Sequence, residues 1–215
     1  MVEIPWAPIH EPIFLEIGTN FSCCVLRIPS EPRNRLFSEI PLTHSDFNRM
    51  IPIRREQHAA GRYCLSTAIT REGIRGEISL SEDFPLRIES SNGVFPVSIS
   101  HSDSLAVAVI GREGSQVGVD LESLDREIQV SILDQFCTQK EIELLTSENS
   151  NFQRLTTWMT KEAVSKATGK GMSTAKEIIL HDNFAQYQST QYRLFTHEFE
   201  NHIIIVAYSD SPIES

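Results

Sequence analysis

The sequence predicts an α+β protein made of two similar α+β halves, residues 1–112 and 113–215. Three observations predict it. Two long stretches at helical period, residues 52–70 and 155–171, each precede short runs of strand-like alternation. The segment GREGSQ, residues 111–116, breaks the chain between them, and strand patterning returns after the second helix at 178–181, 187–195 and 202–208. The likeness of the halves is one of pattern, without a repeat of fixed period.

Composition narrows the function. A 215-residue chain that is 40% hydrophobic and 22% charged can bury a substantial core as one large domain or two small ones. A net charge of −10 argues against non-specific binding to nucleic acid or to an anionic membrane, yet leaves room for a small anion held by a local basic cluster. Cys23, Cys24, Cys64 and Cys137 lack C-x-x-C spacing, so buried reduced thiols are expected rather than a zinc site or a disulfide framework. The N-terminus lacks the basic and apolar regions of a secretory signal, and the longest apolar runs fall far short of the ~20 residues that span a bilayer. A cytoplasmic protein without a transmembrane segment is expected.

Taken in order, residues 1–51 are punctuated by prolines at 5, 8, 12, 29, 32 and 41, with strand-like runs at 13–17 and 21–28. Pro52 suits the first position of a helix whose apolar face is Ile53, Ala60, Cys64 and Ala68. Arg54, His58 and Arg62 fall four apart on a neighbouring face. That row reads either as a solvated basic face or as a phosphate clamp, for which the planar guanidinium is suited. Residues 71–84 read as turns and loops leading to Arg87. Alternation over 97–100 predicts a strand with His101 at its end, and a second strand follows at 105–110.

The strand VGVDLE, residues 117–122, places Val117, Val119 and Leu121 on one face and Gly118, Asp120 and Glu122 on the other. Carboxylates two residues apart on one strand face lie roughly 6–7 Å apart at the backbone, near enough to converge on one cation, with Gly118 leaving the space beside them open. An exposed edge face would carry the same residues. A helix at 126–135 capped by Asp125 is expected next, and Thr138 with Glu141 has capping-box spacing. In the helix at 155–171, Leu155, Met159, Ala163 and Ala167 form an apolar stripe. Trp158, Glu162 and Lys166 stack four apart beside it, where Glu162 and Lys166 alone would be an ordinary surface pair. HEFENH, residues 197–202, resembles a zinc-protease pattern, but its histidines are five apart and its flanks read as strand, so it is discounted.

Together, Asp120, Glu122 and Glu162 make an oxygen donor set suited to Mg²⁺, and the cationic and donor groups could hold phosphates. Such a combination fits transfer of a phosphate-containing group.

SISHS (98–102), VGVDLE (117–122) and WMTKEAVSKATGKG (158–171) resemble the motifs of the 4′-phosphopantetheinyl transferases, in particular their larger monomeric class. RREQHAAGR (54–62) is similar to a helix of the enterobactin-synthesis branch. The resemblance covers roughly residues 52–182. It implies two α+β halves with the active site at their interface, where coenzyme A and Mg²⁺ bind. It implies Asp120, Glu122 and Glu162 as metal ligands, Glu162 also as an aid to deprotonating a carrier-protein serine, and Lys166 on the diphosphate. Ser100 and His101 would contact the coenzyme, and Arg54 and Arg62 its adenosine 3′-phosphate end. The expected partner is an apo-carrier protein of siderophore or nonribosomal peptide synthesis, with no nucleic-acid partner, and the enzyme is expected to be a monomer. The chain departs from the pattern in having no lysine before the Ser-His strand, where Arg87 is the nearest substitute, and in having Gln57-His58 where the branch has a phenylalanine. Two rivals remain: another Mg²⁺-dependent enzyme of nucleotide diphosphates, such as a hydrolase, and a catalytically silent carrier-docking protein.

Overall fold

The computed structural model describes residues 4–5, 7–29, 35–36 and 50–211. Its strands are β1 (Ile4–Pro5), β2 (Ile13–Leu15), β3 (Phe21–Arg27), β4 (Arg35–Leu36), β5 (Ser79–Leu80), β6 (Arg87–Ser90), β7 (Gly93–His101), β8 (Leu105–Gly111), β9 (Gln116–Ser123), β10 (Ile179–Leu180), β11 (Phe184–Tyr187), β12 (Thr190–Phe199) and β13 (His202–Ser209). The α-helices are α1 (Pro52–Arg71), α2 (Leu133–Phe136), α3 (Gln139–Ser147) and α4 (Asn151–Thr168). One antiparallel sheet has the order β2-β3-β8-β7-β6-β5, the other β10-β11-β12-β13-β9, and β1 pairs with β4 in parallel.

Alternation along the strands builds the layers. Cys24, Leu26, Ala106 and Ala108 pack against Ala60, Cys64 and Ala68 of α1. The residues between them in sequence, Cys23, Val25, Val107 and Val109, face Val117, Val119, Leu121, Ile204 and Val206 of the other sheet. That second sheet turns Ile203, Ile205 and Ala207 toward Leu155, Met159, Ala163 and Ala167 of α4. The order through the molecule is therefore α1, sheet, sheet, α4, with strands β8, β9 and β13 buried on both sides. All four cysteines are free and buried, and among the described residues no helix is long and apolar enough to cross a membrane.

Several expectations change. No long helix caps on Asp125: a 3₁₀ turn (Val130–Ile132) and the one-turn α2 take its place. Asn151 holds the chain there, accepting from Ile128 N–H at 2.9 Å and donating to the Arg126 carbonyl at 2.9 Å. The loop expected over 71–84 contains β5, which pairs with β6 as a short hairpin. The single strand expected at 187–195 is two, because Gln188 takes a positive φ of 54° and turns the chain between β11 and β12. α4 begins earlier, at a Ser150 cap that accepts from Gln153 N–H, and ends earlier, at Gly169 with φ 71°. The Thr138–Glu141 capping box forms. His197 pairs with Ile204 and His202 with Phe199 across a hairpin, so neither lies on a helix.

Candidate active site

α4 lies directly on β9. A Cβ added at Gly118 would fall 1.9 Å from the Ala163 carbonyl oxygen and 2.7 Å from the Ala167 nitrogen. The space beside Gly118 is therefore not open, as the sequence suggested, but filled by helix backbone. This close approach carries Glu162 and Lys166 over the carboxylate face of β9.

Lys166 is the junction. Its ammonium donates to Asp120 Oδ1 at 2.7 Å, Ser100 Oγ at 3.1 Å and the Val119 carbonyl at 3.1 Å. Ser100 in turn donates to Asp120 Oδ1 at 3.0 Å, and Ser98 Oγ accepts from Val119 N–H at 3.1 Å. Side chains from β7, β9 and α4 thus meet at one point. Asp120 is buried, and its Oδ2 has no hydrogen-bond partner. Glu122 forms an ion pair with Arg126.

The carboxylates sense one another. Burial, and then the Asp120 charge, push the Glu122 carboxyl up to about 7. Burial also raises Glu162, with Asp120 adding to the rise while Lys166 and Arg126 pull it down. As placed, no three His, Cys, Asp or Glu side chains among the described residues are gathered closely enough to hold a metal ion. The donor chemistry nevertheless fits a hard divalent cation: an orphaned buried carboxylate oxygen lies among carboxylates whose burial and, secondarily, mutual repulsion raise their proton affinity. Asp120, Glu122 and Glu162 are the residues that would hold it.

A cavity of about 720 Å³ opens beside this cluster, lined by Arg54, Gln57, His101, Glu122, Arg126 and His202 among others. It lies between the two sheets' ends, where Arg27 Nε donates to Glu200 at 2.7 Å and Ser104 meets His202 Nε2 at 3.2 Å. Burial lowers the His101 pKa, and Arg54 and Lys166 lower it further. His101 is therefore a neutral donor or acceptor near pH 7. Arg62 does not line the cavity. It sits two turns along α1, half-buried, with Nη1 lacking a partner and burial pushing its guanidinium down to about 10. Arg87 is exposed on β6 and is also absent from the cavity wall, whereas Phe84–Pro85 lies against Gly169.

Sequence reasoning missed Gln57, Arg126, His202 and Lys161. Lys161 is fully buried, and all three ammonium protons find acceptors: the Phe136 carbonyl at 3.0 Å, the Ala175 carbonyl at 3.0 Å and the Glu141 carboxylate at 2.9 Å. It ties α2, α3 and the turn after α4 to α4 itself, one residue before Glu162. Lys161→Met should cost about 3 kcal/mol, because two buried carbonyls and a carboxylate lose their donor. Urea denaturation would measure it.

Residues 116–209 match the 4′-phosphopantetheinyl transferase superfamily. The matched segment runs from β9 through β13 and contains Asp120, Glu122, Glu162 and Lys166. Arg54, Arg62, Ser100 and His101 lie outside it. Comparison with curated proteins returns no match for the chain.

The Glu122 shift has a consequence for the cation-free protein. Its folded-state value, about 7, exceeds the ordinary 4.5. The folded protein therefore binds this proton more tightly than the unfolded chain does. The proton's stabilisation is complete below pH 4.5 and is lost as pH rises through 7. The contribution of Glu122 to stability in EDTA, discounted for its partial exposure, should fall by about 2 kcal/mol between pH 4.5 and pH 7.5. A divalent cation held there would restore it at pH 7.5 and do little at pH 5, as read from thermal midpoints in MgCl₂.

Proposed function

We propose that the chain transfers the 4′-phosphopantetheine arm of coenzyme A to a serine of an apo-carrier protein, in an Mg²⁺-dependent reaction. The observation that carries the reading is the Ser100–Lys166–Asp120 contact. It joins the Ser-His strand of one sheet to the matched segment of the other beside a cavity large enough for a nucleotide. In this reading residues 1–112 and 113–215 are related halves, and the enzyme works as a cytoplasmic monomer of the larger class, closest to the enterobactin-synthesis branch on its α1 sequence.

Asp120, Glu122 and Glu162 would hold Mg²⁺, which when bound offsets charge on the coenzyme's diphosphate oxygens. The chain's own groups do the rest. Arg54 and neutral His101 bind the nucleotide end from the cavity wall, with Arg62 behind them. Glu162, its proton affinity raised by burial, takes the proton of the carrier serine directly or through a water. The serine oxygen then bonds to the β-phosphorus, the bond to the bridging oxygen breaks, and 3′,5′-ADP leaves with its new charge met by Lys166. The carrier is of the siderophore or nonribosomal peptide type.

Calorimetry with coenzyme A, together with an assay of 3′,5′-ADP release, tests the reading. Binding should strengthen with MgCl₂, and release should require an apo-carrier. Release without a carrier would mark a hydrolase, and binding without release under any carrier would mark a silent docking protein.

A further inference from the structure

Arg126 stands where the proposed cation site meets the cavity. Its guanidinium pairs with Glu122 and lies 5.8 Å from the centre of the Trp158 ring. Its backbone is fixed, with its N–H donating to the Ser123 carbonyl at 3.0 Å and its carbonyl accepting from Asn151 at 2.9 Å. Its side chain is 42% exposed and lines the cavity with Arg54. With its main chain anchored, the partly exposed guanidinium touches Glu122 and lies near the Trp158 face from one position, so it keeps the indole in reach if Glu122 lets it go. Trp158, one turn before Glu162 on α4, is itself braced edge-on by buried Phe136 at 4.9 Å.

We infer that Arg126 is a cation-gated phosphate-binding residue. It pairs with Glu122 while the carboxylates lack a divalent cation, and it is released toward Trp158 and the cavity, to receive phosphate oxygens, when one binds. The inference rests on the proposed Mg²⁺ site. A guanidinium and a divalent cation compete for one carboxylate, and their mutual repulsion drives the weaker partner off. The displaced guanidinium keeps an attractive contact with the indole face, and its planar fork suits a phosphate's oxygens. Loading of the cation then creates anion affinity on the cavity wall, so cation and substrate assist each other's binding.

The test uses the full chain carrying Trp6→Phe, which leaves Trp158 as the sole tryptophan. Titration with MgCl₂ should give a saturable change in Trp158 emission. Adding Arg126→Gln should remove that change and tighten Mg²⁺ binding about fivefold in calorimetry, because the competing ion pair is gone. It should also weaken coenzyme A binding in saturating Mg²⁺ about tenfold. Arg126→Lys keeps the competing charge and should leave Mg²⁺ affinity near that of the parent, which separates competition from a general loss of structure. An unchanged emission response in Arg126→Gln, equal or weaker Mg²⁺ binding, or no Mg²⁺ binding to the parent would overturn the inference. None of these readings uses a carrier: absence of transfer alongside the expected titrations would sink the transferase reading alone, and transfer without them would sink only the role of Arg126.

Discussion

Asp120→Ala is expected to lower phosphopantetheine transfer by about 10³-fold or more while the protein stays folded. Asp120 supplies the one buried carboxylate oxygen of the cluster without a hydrogen-bond partner, and its other oxygen orients Lys166 and Ser100. In the proposed reaction, removing it would take away a ligand for the cation and the anchor for the charge that meets the leaving group. Stability should change by no more than about 1 kcal/mol, because Lys166 is partly exposed and keeps Ser100 and the Val119 carbonyl. Relief of repulsion on Glu122 works in the opposite direction. A role confined to structure predicts the reverse pattern, with transfer retained by the folded fraction and the urea midpoint lowered. Asp120→Asn sharpens the result: it retains size and hydrogen-bonding capacity, so an equal loss of transfer would assign the effect to charge.

Gly118→Ala carries the largest expected loss of stability. The added methyl would overlap the Ala163 carbonyl oxygen at 1.9 Å, and neither β9 nor the helix backbone can turn aside as a side chain would. α4 must lift off the sheet, opening the core that Leu155, Met159 and Ala163 close. The expected cost is upwards of about 4 kcal/mol, above the usual overpacking range because backbone meets backbone. Gly114→Ala is the comparison. It has open space around it but a φ of 76°, and strain alone should cost about 1 kcal/mol. Parallel urea denaturation of the two variants would measure the difference, and Gly118→Ala should also lose activity, since lifting α4 withdraws Glu162 and Lys166 from Asp120.

Most of the elements that frame the candidate site are visible in the sequence, while the contacts that join them are not. Pro52 marks the start of α1, alternation identifies β9, and His101 is the last residue of β7 as its position after Ser100 suggested. The α4 stripe is buried as its spacing predicts. These features rest on local rules, chiefly periodicity and caps. What escapes depends on contacts between segments distant in sequence. Gly118 reads as empty space until a helix some forty residues later is laid on it. Arg126 and Asp125 suggest a helix start until Asn151 takes the chain's hydrogen bonds. Lys161 looks like one of several surface lysines, and only the folded chain shows it serving α2, α3 and the turn beyond α4. Arg62 illustrates the opposite case. Its spacing from Arg54 is helical as expected, but α1 carries it past the cavity wall, so helical period alone did not specify reach.

The central claim is that this cluster and cavity together move a phosphopantetheine arm. It is tested most directly by incubating the protein with coenzyme A, MgCl₂ and a panel of apo-carrier proteins and weighing each carrier intact. The account predicts that at least one carrier gains the mass of a single phosphopantetheine on its serine, that EDTA prevents the gain, and that Asp120→Ala abolishes it. Carriers of unchanged mass across the panel, in the presence of Mg²⁺ and with coenzyme A bound, would contradict it.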